Sequence, residues 1–200
     1  MSEGALDPVP GLRRWAPVAA VPILAFVVGV LALPRPSAAG GGGRAAAESA
    51  ELAEVVSHTA PQPRSKVDAV LGNAVRVHGA DLPTAPVAQG ERLTARFYYE
   101  ALAGLDQDWQ VFLHIDARQG GYRIHGDHFP ARGRYATSLW QKGEIVTDEW
   151  SSTVPRDAPS GTYEVWLGFY VGDERLPFTG GDKGVHDGAD RIRVGTLTLP

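Results

Sequence analysis

The feature that most limits the fold of this chain is a strict alternation of side chains in three stretches of its second half. Residues 93–99, 109–115 and 163–171 carry an apolar or aromatic side chain at every odd-numbered position. A period of two residues is typical of a β-strand with one buried face, and an α-helix does not produce it. We therefore predict three strands whose odd-numbered side chains face a core and whose even-numbered side chains face outward.

Further strands are predicted over residues 144–153 and 191–199, with weaker patterns over residues 69–78 and 122–125. Turn-forming glycine, proline and aspartate residues separate these segments. Gly195 interrupts the alternation of the last segment, which indicates a β-bulge. About seven short strands without helical patterns between them predict an all-β fold, an antiparallel β-sandwich of immunoglobulin-like or jelly-roll type.

An uncharged apolar segment near the N-terminus is predicted to lie outside the folded core. The segment covers residues 15–33, follows Arg13 and Arg14, and includes a run of 18 uncharged residues at 16–33. Because a helix needs about 17–25 apolar residues to span a bilayer, this run is at the lower limit for a transmembrane signal anchor. Small residues at positions 37–39 also fit a signal-peptidase site, so a cleaved signal peptide is the alternative.

These patterns divide the chain into a cytoplasmic N-terminus at 1–14, the anchor or signal peptide at 15–33, a linker at 34–66 and a β-sandwich domain at 67–200. The linker is rich in glycine and proline, and residues 44–57 within it predict a short stalk helix. We expect a single-pass protein of the inner (cytoplasmic) membrane with its domain on the extracytoplasmic, periplasmic side. The protein would be secreted if the leader is cleaved.

Composition and motif content exclude several classes of function. The 200 residues include no cysteine, which excludes disulfide bonds and thiolate chemistry. Lys and Arg number 19 against 23 Asp and Glu, and the net charge of -4 offers no basic surface for nucleic acid. The sequence contains no nucleophile elbow, phosphate-binding loop, dinucleotide fingerprint or His-Glu-x-x-His motif. The chain is therefore predicted not to be an enzyme and to use no cofactor.

Residues 108–199 contain a series of short blocks, which are WQVFLH at 109–114, IHGDHFP at 124–130, GRYAT at 133–137, PSGTY at 159–163 and HDGADR at 186–191. This part of the chain resembles the C-terminal extracytoplasmic β-sandwich module of bacterial family-39-type membrane glycosyltransferase-like proteins. The resemblance implies a fold and an extracytoplasmic setting. It implies no transferase activity, because those proteins have many spans with acidic catalytic residues in loops, whereas this sequence has one apolar segment. Ala136 also departs from the proline that usually follows the tyrosine.

An outward-facing set of aromatic and polar side chains gives the first hypothesis about a ligand. We name this set the aromatic platform, and it consists of Tyr98, Phe112, Trp166 and Tyr170 with Arg96, His114 and Glu164. Exposed rings can stack on sugar rings while the polar groups bind hydroxyls, so the platform predicts binding of a glycan. The alternative is that the linker, the stalk helix or residues 117–143 cover these rings and form a second small core.

A group of histidine and aspartate residues gives a second hypothesis, the binding of a metal ion by His114, His125, Asp127 and His128. Imidazole and carboxylate groups are ligands for zinc and copper. Their spacing matches no known zinc motif, so a structural role is the alternative. In that case Asp127 accepts backbone N–H bonds in a tight turn, and His114 bonds to a backbone carbonyl.

Together these inferences predict a membrane-tethered extracytoplasmic β-sandwich module that is non-catalytic and acts as an accessory or binding domain. A cell-surface glycan is the ligand that these inferences favour. The alternatives are a structural or protein-interaction domain within an envelope complex, or a His/Asp metal-binding protein. The expected partners are the membrane, through the N-terminal segment, and either a glycan or an envelope protein.

Overall fold

The alternating segments of the sequence form strands in a computed structural model, which describes residues 50–200. Within these residues a short helix at 50–55 precedes eleven strands. The strands are β1 (Val56–Ser57), β2 (Ser65–Leu71), β3 (Val75–Asp81), β4 (Arg92–Ala101), β5 (Gln110–Ala117), β6 (Arg123–His125), β7 (Ile145–Thr153), β8 (Gly161–Val171), β9 (Glu174–Arg175), β10 (Phe178–Gly181) and β11 (Ile192–Leu199). Short 3-10 helices lie at Thr137–Leu139 and Lys183–Val185, and Pro130–Gly133 forms a turn in which Ala131 and Arg132 have positive φ.

The strands pair into two antiparallel sheets. The larger sheet has the order β1-β7-β4-β3-β2-β10, and the smaller sheet has the order β11-β8-β5-β6, with β9 paired to β8. Side chains from both sheets pack in one core, where Tyr99 of β4 meets Phe169 of β8 edge-to-face at a centroid distance of 5.0 Å. The prediction of an all-β antiparallel sandwich is therefore confirmed.

The odd-numbered side chains of the three alternating segments are buried, as predicted. The buried set is Leu93, Ala95, Phe97 and Tyr99 in β4, Trp109, Val111, Leu113 and Ile115 in and before β5, and Tyr163, Val165, Leu167 and Phe169 in β8. Val171, at the end of β8, is half-buried. Because burying a large apolar side chain contributes roughly 1.5–3 kcal/mol, these residues provide much of the drive for the two sheets to pack together.

The segment predicted as one strand over residues 69–78 is two strands, so that prediction is wrong. Gly72 and Asn73 have φ values of 58° and 54°, and the Ala74 N–H donates to the Leu71 carbonyl at 3.0 Å. Two consecutive positive φ values define the type I′ turn of a tight hairpin. The prediction failed because apolar residues occur on both sides of the turn, so the segment looked like one strand. The Gly-Asn pair at 72–73 is itself a signal for a hairpin.

The bulge predicted at Gly195 is confirmed. The register of β11 against β8 shifts between Arg193 and Gly195, and Gly195 has a φ of 152°. This φ favours glycine, and a Cβ here would also lie 2.7 Å from Leu82 Cδ1 and force that side chain to shift.

Of the predicted stalk helix at 44–57, residues 50–55 are helical, whereas Val56 and Ser57 form β1, so the helix ends two residues earlier than predicted. The pairing of β1 with β7 therefore begins before the predicted domain start at residue 67. Among residues 50–200, none of the helices combines the length and the apolar character that a bilayer crossing requires. The predicted cytoplasmic N-terminus at 1–14, the apolar segment at 15–33 and the first part of the linker lie outside the described residues.

Candidate functional site

The predicted aromatic platform is divided between the two sheets, so a single continuous platform is wrong. Tyr98 and Arg96 lie on β4 of the larger sheet, whereas the other members lie on β5 and β8 of the smaller sheet. Each residue faces away from the core of the sandwich, but the outer faces of the two sheets point in opposite directions. Alternation in the sequence distinguishes inward from outward positions, and it does not show to which sheet a strand belongs.

On the larger sheet, Tyr98 and Arg96 are occupied by partners of their own. The Tyr98 hydroxyl donates to Asp81 Oδ2 at 2.8 Å, and Arg96 Nε donates to Glu149 Oε2 at 3.1 Å. Burial and the Asp81 carboxylate raise the pKa of Tyr98, so its phenol stays protonated. Both residues line a cavity of about 430 Å³ whose other walls include the charged residues Glu54, Arg132 and Arg134. This half of the predicted platform is a charged cleft.

On the smaller sheet, strand register places four of the outward-facing side chains in one row. Trp166 lies opposite Arg193 on one side and opposite His114 on the other, and His114 lies opposite His125. Directly paired residues of neighbouring antiparallel strands have Cβ atoms only about 4.5–5.5 Å apart. The row therefore forms a continuous polar and aromatic strip across all four strands.

Arginine side chains cover the Trp166 ring. The Arg191 guanidinium lies 4.8 Å from the ring centroid, and that of Arg193 lies 5.9 Å away. Arg191 is held by Asp187 and by Asp116, whose Oδ2 accepts from its Nη1 at 2.9 Å. Such cation–π contacts contribute about 0.5–1 kcal/mol each at partly exposed sites. Within residues 50–200, part of this face is thus covered by arginines from β11 and its preceding loop, and not by the linker, the stalk helix or residues 117–143.

Next to this strip, part of the platform lines an open depression of about 240 Å³, which we name the aromatic hollow. Its walls are mainly Phe112, His114, Asp127, Tyr170, Asp173 and Arg175. The Tyr170 and Phe112 ring centroids are 6.2 Å apart, and the Arg175 guanidinium lies 4.6 Å above the Phe112 ring. The hollow therefore combines two rings, two carboxylates, one guanidinium and one imidazole in a small space.

A glycine provides the space for the Phe112 ring. Gly168 of β8 lies directly opposite Phe112 of β5, and a Cβ on Gly168 would overlap the ring. The edge of the Phe112 ring therefore reaches over Gly168, and only 3% of Phe112 is exposed. Tyr170, two residues along β8 from Gly168, remains half-buried and presents its ring beside Phe112. Burial and the charge of Asp127 raise the pKa of Tyr170, so its hydroxyl remains a hydrogen-bond donor.

His114 forms the floor between the strip and the hollow, and only 8% of it is exposed. Burial, with a further contribution from the charge of Arg123, lowers its pKa to about 4, so the imidazole is neutral at pH 7. Within residues 50–200, its buried Nδ1 has no hydrogen-bond partner. The expectation that a backbone carbonyl would satisfy His114 is therefore wrong for this nitrogen.

Three of the four residues predicted to bind a metal come together. His114, His125 and Asp127 each offer one ligand atom, and these atoms lie within 4.8 Å of one another. His128 lies apart from them, because it has the opposite parity from His125 and Asp127 and so faces the other side of the chain. Its Nε2 bonds to Asp148 Oδ2 at 2.8 Å, and its Nδ1 lies 2.6 Å from the Gly126 carbonyl oxygen. His128 is thus part of a buried structural pair.

The structural role predicted for Asp127 is present in a different form. Its Oδ1 accepts the backbone N–H of Leu113 at 3.1 Å. The donor lies across the sheet on β5, rather than within the turn that contains Asp127. This bond holds the carboxylate beside His114 and at the mouth of the hollow.

Asp173 and Arg175, which complete the hollow, were not predicted from the sequence. A two-residue Gly-Asp turn after β8 reverses the chain, and Arg175 of β9 then pairs with Tyr170. Arg175 Nη1 also donates to the Ala189 carbonyl at 2.9 Å, which fixes the guanidinium over Phe112. Gly-Asp between a strand and a short polar segment is a hairpin signal, so this pair could have been found from the sequence.

No protein-family profile matches the chain, and no curated protein matches it. Similar solved structures include the C-terminal domain of Wzt, at 14% identity and a TM-score of 0.46 over 72% of this chain and 83% of that one. Another is Pseudomonas fluorescens alkylpurine DNA glycosylase AlkC bound to DNA with an abasic-site analogue, at 18% identity and a TM-score of 0.39, covering 63% of this chain and 30% of that one. A Niemann-Pick type C2 protein from Japanese carpenter ant shares 6% identity and a TM-score of 0.40, covering 71% of this chain and all of that one.

These similarities are too low to indicate a fold or a function. The fold and the candidate site are therefore defined by the strands and residues described above. The strand pairing defines the class, an all-β sandwich of two antiparallel sheets. Its smaller sheet carries an aromatic hollow on the outer face, and this hollow defines the candidate site.

Proposed function

We propose that this chain is a non-catalytic, membrane-tethered accessory module on the extracytoplasmic side that binds a cell-surface glycan in the aromatic hollow. The observation that carries the proposal is the position of Tyr170 beside Phe112, with Asp127, Asp173 and Arg175 around them. Ligand sites combine apolar ring surface with a few polar groups that fix the orientation of the ligand. In the hollow the Tyr170 ring supplies the apolar surface, because Phe112 is buried beneath Arg175, and the charged side chains supply the polar groups.

Each wall of the hollow has a function in this proposal. The Tyr170 ring offers a flat apolar face to the C–H groups of a sugar. Its hydroxyl donates its one proton to Gln110 Oε1 at 3.3 Å, and its oxygen can accept a bond from a sugar hydroxyl. The carboxylates of Asp127 and Asp173 accept bonds from sugar hydroxyls, and Arg175 donates to sugar oxygens. Because the arginine is already anchored at Ala189, little side-chain freedom is lost on binding.

Two features of the sequence support the cellular setting of this proposal. The apolar run at 16–33 is long enough for a short transmembrane anchor, and a glycine- and proline-rich linker follows it. The resemblance of residues 108–199 to the C-terminal module of family-39-type membrane glycosyltransferase-like proteins implies the same extracytoplasmic side. A tethered module with one shallow site would hold a glycan near the membrane without transforming it.

The test is binding of the full chain to an array of bacterial cell-surface glycans, before and after Tyr170→Ala. We expect the variant to weaken binding at least about tenfold, because a lost aromatic contact of about 1.4 kcal/mol or more corresponds to that factor. Tyr98→Ala is the matched control, since Tyr98 belonged to the predicted platform but lies on the larger sheet. Thermal unfolding of both variants verifies that the fold is retained.

Two results would contradict the proposal. One is a wild-type protein that binds no glycan on the array, and the other is equal weakening by Tyr98→Ala and Tyr170→Ala. The second result would place the ligand elsewhere on the molecule or indicate a general loss of structure.

A further inference from the structure

The pairing of β5 with β6 brings two histidines together at the edge of the smaller sheet. His114 and His125 are direct cross-strand partners, and their rings meet edge-to-face at a centroid distance of 5.4 Å. Asp127 follows His125 by two residues and therefore lies on the same side of the chain. The Leu113 N–H bond to Asp127 Oδ1 keeps that carboxylate next to His114. The three side chains converge because of strand register, without any helix spacing.

A second and independent observation concerns the buried imidazole of His114. More than nine-tenths of this side chain is buried, and its Nδ1 has no hydrogen-bond partner among the described residues. Buried polar atoms in proteins are nearly always paired, so an unpaired one indicates a position where a bound ion or a water completes the interaction. A ring nitrogen without a hydrogen-bond partner can offer its lone pair to a metal ion.

We propose that His114, His125 and Asp127 bind a divalent metal ion of the zinc class. Two imidazole nitrogens and one carboxylate oxygen form a ligand set typical of zinc sites that retain an open coordination position. The two nitrogens favour zinc over calcium and magnesium, which take oxygen ligands. This site goes beyond the proposed function and does not depend on glycan binding.

The geometry requires only a small adjustment on binding. The three ligand atoms lie within 4.8 Å of one another, whereas zinc–ligand bonds of about 2.0–2.2 Å in tetrahedral geometry place such atoms roughly 3.4 Å apart. His125 and Asp127 are exposed, so their side chains can rotate toward the buried His114. Rotation of these two side chains closes the site without a movement of the strands.

The nearby positive charge is partly balanced within the protein. Arg123, two residues before His125, donates to Asp116 through Nε at 2.5 Å and through Nη2 at 2.8 Å. A bidentate pair of this kind holds the guanidinium on its own carboxylate. The repulsion between Arg123 and a bound cation is therefore reduced, while the carboxylate of Asp127 faces the site.

The test is isothermal titration of the full chain with zinc chloride, on protein purified without a polyhistidine tag and treated with a chelator. We expect one zinc per chain, with affinity reduced at least tenfold in His125→Ala and in Asp127→Asn. The asparagine retains an oxygen that can accept the Leu113 N–H, so it removes the charge and leaves the backbone contact. His58→Ala is the control, because His58 is exposed and lies at the start of the domain, outside the site.

Cobalt provides a second readout. When Co²⁺ replaces zinc, visible absorption of a tetrahedral nitrogen and oxygen site is expected for the wild type and for His58→Ala, and it should be lost in His125→Ala. A wild type that binds no zinc would overturn the proposal, as would equal loss of affinity in His58→Ala and His125→Ala. Glycan binding measured in the presence of the chelator keeps the two proposals separate, because the glycan proposal predicts binding without added metal.

Discussion

At the scale of single residues, the candidate site depends on glycine at position 168. Gly168 has no positive φ, so its role is one of space and not of backbone strain. We predict that Gly168→Ala lowers the free energy of unfolding by about 1–3 kcal/mol, because the added methyl group overlaps both the Phe112 ring and the backbone carbonyl oxygen of Asp190. It should also weaken glycan binding, since the displaced ring belongs to the hollow.

Urea unfolding monitored by tryptophan fluorescence measures the stability change. Gly104→Ala is the matched control, because a Cβ at Gly104 meets no atom within 4 Å. If both variants unfold at the same urea concentration as the wild type, then the fit between Phe112 and Gly168 does not limit this face of the sheet.

At the scale of elements, the long connection from β6 to β7 is part of the core. Trp140 in this connection packs against Tyr99 and Phe169, each at a centroid distance of 6.1 Å. Its Nε1–H donates to the Tyr135 carbonyl at 3.2 Å, a hydrogen bond between two residues of the same connection. The connection closes one end of the sandwich with an aromatic cluster, although it contains only one short 3-10 helix.

We therefore predict that Trp140→Ala lowers the free energy of unfolding by about 3–5 kcal/mol, as expected for removal of a fully buried large side chain. The neighbouring residue provides the control, because Leu139 is 58% exposed. Leu139→Ala should change the free energy by less than about 0.5 kcal/mol. Chemical denaturation of the two variants would refute this view of the connection if their midpoints shifted equally.

The alternation of side chains predicted which segments form strands, but it did not predict which strands pair with one another. The segments at 144–153 and 191–199 match β7 and β11 to within one residue, and the inward side chains match the buried set. The pairing order depends on contacts between segments far apart in the sequence, so the pattern could not show that Tyr98 and Tyr170 belong to different sheets. The same limit applies to the hollow, since Arg175 reaches Tyr170 only after the β8–β9 turn.

The metal ligands illustrate the same limit within one hairpin. The sequence suggested four candidates near one another, and parity alone could have removed His128 from the set. The exact partner of His114, however, depends on the five-residue connection between β5 and β6, where Gly120 and Gly121 both adopt positive φ. Connection length and conformation set the register, and a change of one residue would place Ile124 beside His114 in place of His125.

At the scale of the whole molecule, carboxylates held by arginine and tyrosine make stability depend on pH. Burial opposes ionisation of Asp81, but bonds from the Arg64 backbone N–H and from Tyr98 outweigh it and lower the pKa of Asp81 below 3.8. Burial likewise opposes ionisation of Asp187, and Arg191 lowers its pKa. A carboxyl group whose folded-state pKa is depressed stabilises the fold above its unfolded pKa, and this contribution is lost as the pH falls through the folded value.

We predict that the contribution of these two groups to the free energy of unfolding is constant above about pH 5 and declines below about pH 4. His114, whose pKa is lowered to about 4, adds a decline that begins near pH 6.5. In Tyr98→Phe the decline should be shallower, because the carboxylate of Asp81 loses one donor, and stability near neutral pH should fall by about 1–3 kcal/mol. Thermal unfolding between pH 2.5 and 7, measured for both proteins, tests this. Parallel pH profiles would show that the Tyr98 bond does not favour the charged carboxylate.

The edge strands of both sheets are built in ways that disfavour aggregation between copies of the molecule. Strands β1 and β10, at the two edges of the larger sheet, have only two and four residues, and β6 has three. Short edges offer few unpaired backbone groups to another chain, which is how many β-proteins avoid aggregation. The longer edge strand β11 contains the bulge at Gly195, and its Val194 and Thr198 carbonyls already accept bonds from Ser65 and Val87. Neighbouring copies can therefore crowd together without joining strand to strand.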